Sequence, residues 1–192
     1  MHKGRLEAFS DGVIAIIITI MVLELKAPSG NHFNNLFPLI PVLLSYILSF
    51  IYLGIYCNNH HHLLQATKNV NGTILWANLH LLFWLSLIPF VTHWMGEDRF
   101  STDPVALYGV VLFFAAIAYS ILVQSLISHH GKESTLAIAI GKDFKGNISI
   151  VLYLVGILLS WLNPIIACSM YVLVAIIWLI PDRRIEKKLN PN

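Results

Sequence analysis

Six long apolar runs leave this chain little choice of fold. They lie at about residues 5–25, 36–56, 73–94, 104–127, 147–162 and 164–180. A helix of about 20 apolar residues matches the hydrocarbon thickness of a bilayer. No water reaches that layer, so each run must satisfy its backbone internally, as a helix does. The runs are continuously apolar rather than alternating, which excludes an outer-membrane barrel. The expected fold class is all-α and polytopic, with six transmembrane helices in one domain spanning residues 1–192.

Composition narrows the function. Charged residues make up 11% of the chain, against about 25% in a soluble domain. That excludes a soluble globule, a disordered chain and, with a net charge of only +2, a nucleic-acid partner. Six spans leave no room for a soluble catalytic domain, and no H-E-x-x-H motif, phosphate loop or nucleophile–base arrangement is present. An enzyme and a cofactor are both unexpected. Cys57 and Cys168 form neither a disulfide framework nor a metal pattern and read as small core hydrophobes.

The first run reads as a retained helix rather than a signal peptide, because Glu7 and Asp11 interrupt its basic end and no cleavage pattern follows. Pro104 and Pro164 sit where a first helical turn tolerates a missing N–H. Asn163-Pro164 is a tight turn between spans five and six. No span shows a clear Gly/Pro break at mid-membrane. Lys3, Arg5, Lys68, Lys132, Lys142, Lys145, Arg183, Arg184, Lys187 and Lys188 fall on one side, and Lys26 and Arg99 on the other. This asymmetry places both termini in the cytoplasm of a multi-pass protein of the cell membrane. Trp94 and Trp161 fit an interfacial aromatic belt. The long connection Ser128–Gly146 includes Ser134–Ile140, apolar enough to lie on the membrane surface.

Ionisable residues inside a span are costly and mark a bundle interior or a pathway. Asp11 lies six residues beyond Arg5, about 9 Å deeper along a helix. His80 and Trp84 share a face of the third span, with His80 about 10 Å in. The matching depths permit a His80–Asp11 hydrogen bond between helices one and three; two separately satisfied residues are the alternative. On a helical wheel Arg5, Phe9, Gly12, Ile16, Ile20 and Leu23 form one stripe with Thr19 at its margin. Asp11, Ala15, Ile18 and Val22 lie nearly opposite, a face suited to packing on neighbouring helices. Any packed helix shows such spacing. His60-His61-His62 and His129-His130 are poor metal sites, since consecutive residues do not share a helical face. They read as solvated interfacial clusters or as a source of pH sensitivity.

Arg5-Leu6-Glu7-Ala8-Phe9-Ser10-Asp11-Gly12 resembles the R-x-x-x-F-S-D-G signature of the transmembrane protein 175 family, in its prokaryotic six-helix form. The likeness continues through Val13-Ile14-Ala15-Ile16 to Thr19 and Leu23-Glu24. The resemblance implies a potassium-permeable cation channel without a T-V-G-Y-G filter, a motif this chain also lacks. It implies a homotetramer in the lipid bilayer, with helix one of each subunit lining a central pore for permeant cations. The family's apolar constriction falls on Ile16, with further rings at Ile20 and Leu23 and a threonine layer at Thr19. The family's polar network falls on Arg5, Asp11, His80 and Trp84, beside Phe9 and Ser10 of the motif. Arg5 lies on the pore-side stripe, so it either reaches round its helix or lines the inner mouth. Four isoleucines at one level would gate by dewetting, and threonine oxygens would give only modest K⁺ over Na⁺ discrimination. Transient K⁺ near Ile16 and Thr19 is the only metal contact implied, and Glu24 could concentrate cations at the outer mouth. The alternatives are a small ion-coupled secondary transporter using Asp11 and His80 as a relay, and an intramembrane enzyme or assembly protein.

Overall fold

A computed structural model describes residues 3–67, 69–131, 133–134, 137–138 and 143–179. Seven helical segments account for most of them: α1 (Lys3–Leu23), α2 (Ile40–Gln65), α3 (Gly72–Ser86), α4 (Ile88–Glu97), α5 (Thr102–His130), α6 (Phe144–Ser160) and α7 (Pro164–Leu179). No strand occurs among the described residues. A 3-10 stretch, Phe33–Leu39, leads into α2. Taking α3 and α4 as one span gives six. Four are long and apolar enough to cross a membrane. The shorter α6 and α7, of 17 and 16 residues, reach only about 25 Å.

Of the residues used to orient the chain, Lys68, Lys132, Lys142, Arg183, Arg184, Lys187 and Lys188 lie outside the described residues, as does Ile180 at the end of the expected sixth span. So do Thr135, Leu136, Ala139 and Ile140 of the expected surface segment.

Local chemistry sets the helix ends. The Asn71 side chain accepts from the Ile74 N–H at 3.0 Å and caps α3. Asp143 accepts from the Gly146 N–H at 2.8 Å and caps α6. Asn163 Oδ1 accepts from the Ile165 N–H at 2.9 Å ahead of Pro164, making the expected turn into α7. Each bond satisfies one of the donors that a helix start leaves open.

The third span departs from expectation. It breaks at Leu87, two residues before Pro89. Proline has no N–H to offer Leu85 O, and its ring crowds that carbonyl. The Leu87 N–H bonds Trp84 O at 3.3 Å, and regular bonding resumes with the Val91 N–H on Leu87 O at 3.2 Å. A Pro break therefore exists inside a span, contrary to the sequence reading. The second span also differs: α2 runs on to Gln65, nine residues past the expected end, and carries His60 into the bundle.

Helix α6 packs closely on both α5 and α7. Tyr171 of α7 is fully buried and its hydroxyl donates to Val105 O at 3.3 Å. Gly109 and Gly156 leave room for its ring: a methyl group at Gly109 would collide with the Tyr171 hydroxyl and come within 2.8 Å of Ile157 Cγ1. Where α4 ends, Gly96 lets it close on α2: an added Cβ would sit 2.7 Å from Val42 Cα. Small residues at contacts let membrane helices pack where no hydrophobic drive between them exists.

Candidate functional site

The α1 helix packs against α2, α3 and α4. It buries Leu6, Ser10, Ile14, Ile17 and Met21, spaced four, four, three and four, the rhythm of one helical face. This face lies about 130° round the helix from the Ile16 stripe. The Asp11 row is therefore not the packing seam the wheel suggested. Asp11 and Ile18 are half-buried, and Ala15 and Val22 are exposed. Phe9, Ile16, Ile20 and Leu23 stand bare, at 52%, 58%, 42% and 79% exposure. Thr19 and Arg5 are exposed too. Thr19 Oγ1 donates to Ile16 O at 2.8 Å, so its hydroxyl proton is committed to the backbone and its lone pairs face outward. The α1 helix thus has one dry, packed face and one apolar face left largely uncovered by the described residues.

The buried face carries a hydrogen-bonded relay that sequence reasoning missed. Ser10 O–H donates to Leu6 O at 2.9 Å. Asn78 Nδ2 of α3 donates to Ser10 Oγ at 2.9 Å. Asn78 Oδ1 then faces His60 Nε2 of α2 at 2.7 Å. An amide oxygen only accepts, so His60 must carry its proton on Nε2. That leaves Nδ1 as a buried acceptor without a hydrogen-bond partner among the described residues. Ser10, Asn78 and His60 are all fully buried, and together they tie α1 to α2 and α3. His60 is therefore no solvated cluster residue, because the longer α2 carries it into the core. Asn78 was visible in the sequence as a lone amide within an apolar span. His60 was not, since its run of three histidines follows the expected end of span two.

Further ties join α1 and α2 where α1 begins. Lys3 Nζ donates to Gln65 O at 3.0 Å, completing the end of α2. Glu7 meets His61 Nδ1 at 3.0 Å. His80 does not reach Asp11: it is exposed and accepts from Trp84 Nε1 at 3.0 Å on its own helix. Trp84 in turn stacks on Phe114 of α5 with ring centroids 4.6 Å apart. The expected His80–Asp11 bond is therefore absent within the chain. The motif residues separate into Ser10, which is built into the core, and Arg5, Phe9, Asp11, His80 and Trp84, which line its margin or outer surface.

At the far end of α1, Glu24 lies 3.7 Å from His93 of α4, an ion-pair separation too long for a hydrogen bond. Between them and Ile16 opens a cavity of about 470 Å³, walled by Val13, Ile17 and Ile20 of α1 and by Pro89 and Phe90 beyond the break. A second relay steadies that break. Thr92 O–H donates to Ile88 O at 2.6 Å, Ser49 of α2 reaches Thr92 Oγ1 at 2.6 Å, and Tyr108 of α5 reaches Ser49 at 3.0 Å. No cluster of three metal-ligating side chains occurs among the described residues. The two cysteines are free.

Comparison with known proteins bears on this geometry. Residues 5–89, which span α1 to the broken third span, match the family described as "Endosomal/lysosomal potassium channel TMEM175". A potassium channel of Chryseobacterium sp. is 60% identical over 192 residues, covering all of both chains. A potassium channel of Streptomyces collinus is 33% identical over 129 residues, 63% of each chain. Among solved structures, that of a lysosomal potassium-selective channel TMEM175 homolog from Chamaesiphon minutus superimposes with a TM-score of 0.80. It shares 26% identity and covers 94% of this chain and 97% of its own.

Proposed function

Because this chain belongs to the TMEM175 family, a family of ion channels and not of enzymes, we propose that it is a potassium-permeable channel of the cell membrane, with the bare stripe of α1 lining the pore. The observation that carries this reading is the contrast between the two faces of α1. One is locked to three helices by packing and a buried relay. The other presents Phe9, Ile16, Ile20 and Leu23 largely uncovered by the described residues. One α1 cannot enclose a pore, so the reading requires several copies, and a homotetramer places four such stripes around one axis.

Four Ile16 side chains at one level form a dry ring. An ion crossing it loses water and gains no oxygen ligand, so the ring must widen before ions pass. Thr19, one turn further on, presents hydroxyl lone pairs that offer weak ligands to a partly hydrated ion. Discrimination of K⁺ over Na⁺ is therefore modest, and K⁺ is the permeant ion rather than a cofactor. Glu24 at the end of the stripe adds negative charge that concentrates cations. The Pro89 break removes one argument against a transporter. The family assignment favours a channel.

Ion flux from liposomes holding purified protein tests the proposal, under a K⁺ gradient and then a Na⁺ gradient. Wild type should pass K⁺ faster than Na⁺, and Ile16→Asn should raise both fluxes by wetting the ring. Thr19→Ala should shift the reversal potential toward that of an unselective pore. Unchanged flux in an assembled Ile16→Asn protein would remove Ile16 as the gate. Saturable exchange, with no rise in Ile16→Asn, would favour a transporter.

A further inference from the structure

The end of α1 and the end of α4 lie on the same face of the bundle, because spans one and three run in the same direction. There the chain leaves α1 at Leu23, turns back, and enters α2 at Ile40. Between this connection and α4 lies a cleft of about 410 Å³. Its walls are apolar, and Phe33 and Phe37 stand 89% and 66% exposed, joined by Leu36, Ile40 and Leu43. Two opposite charges line the same cleft: Lys26 on the connection and Glu97 at the end of α4. Both are exposed. Neither takes part in an ion pair among the described residues, whose two such contacts are Glu7–His61 and Glu24–His93.

Opposite charges that share a cleft without meeting leave room for a ligand carrying both signs. The apolar walls require that ligand to be largely hydrocarbon, and the level of the cleft, where spans end and loops begin, is that of lipid headgroups. We propose that this cleft binds one phospholipid of the phosphatidylethanolamine class. The lipid phosphate accepts from the Lys26 ammonium, and the lipid ammonium donates to the Glu97 carboxylate. Each contact is a charge-assisted hydrogen bond. An acyl chain lies along Phe33, Phe37 and Ile40. A choline headgroup has no N–H to give Glu97, and a glycerol headgroup has no cation for it, so headgroup chemistry selects the lipid. The bound lipid bridges the connection that follows α1 to the end of α4, beside the Glu24–His93 contact.

Native mass spectrometry of the purified full-length protein, offered equal amounts of phosphatidylethanolamine, phosphatidylcholine and phosphatidylglycerol, tests this without any ion flux. Its failure is therefore separable from failure of the channel reading. Wild type should retain phosphatidylethanolamine over phosphatidylcholine by about threefold, the ratio expected of one solvent-edge ion pair. Glu97→Gln should abolish that preference while phosphatidylcholine stays bound. Lys26→Gln should lower retention of all three lipids. The exchange K26E with E97K should restore part of the preference. Equal retention of the ethanolamine and choline lipids by wild type would overturn the proposal, and that result needs no variant to fold. Preferential retention of phosphatidylglycerol would overturn it too, leaving Lys26 as a site for anionic lipid alone.

Discussion

The two faces of α1 are built from the same residue types and have opposite fates. Ile14 and Ile17 are almost wholly buried, while Ile16 and Ile20, on the same helix, are 58% and 42% exposed. The polar residues divide the same way. Ser10 is sealed into a relay with Asn78 and His60, whereas His80 and Trp84 make their bond at the surface of the chain. Hydrophobicity alone therefore does not say which side of a membrane helix is structural. What separates the faces is whether a neighbouring helix offers complementary shape and a complementary hydrogen-bond partner at the same depth.

On stability, the largest break in this comparison is Asn78→Leu. It strands the His60 Nε2–H and removes the donor to Ser10. Leaving such a group buried and unmade costs about 3 kcal/mol. Thermal unfolding of the detergent-solubilised protein should show it, and the double variant with Ser10→Ala should cost less than the sum of the two singles because they share one network. Next comes Gly109→Ala on the well-packed side, where the new methyl group meets Tyr171. Overpacking of this kind costs about 2 kcal/mol, and the same melting experiment measures it. His80→Ala should cost about 0.5 kcal/mol or less, as expected of a change at an exposed position. If it matches Asn78→Leu instead, a neighbouring subunit buries the His80–Trp84 pair. Ile16→Asn should move the melting temperature least of all while changing flux most. A large loss of stability there would place Ile16 in a packed interface rather than along a pore.

Much of this was legible before any coordinates. The helical runs, the turn at Asn163-Pro164 and the channel-type motif at Arg5–Gly12 were all readable, because bilayer thickness and backbone bonding constrain a chain residue by residue. The bare stripe was readable as a periodicity, although its role was not, since packed and pore-lining faces share the same spacing. The His60 contact was hidden because α2 is longer than its apolar run: helix propensity and packing carry it to Gln65 after hydropathy has faded. The break at Leu87 was overlooked because continuous apolarity over residues 73–94 hid the effect of Pro89.

The sequence by itself determined that this chain must cross a membrane as helices, and which family's signature its first helix carries, because both depend on local composition and order. Only the tertiary structure decided that Ser10 rather than Asp11 anchors α1, that His80 pairs with Trp84, and that Lys26 and Glu97 share a cleft. Those outcomes depend on how helices rotate against one another. That rotation is set by contacts distributed over the whole bundle, and no single segment encodes it.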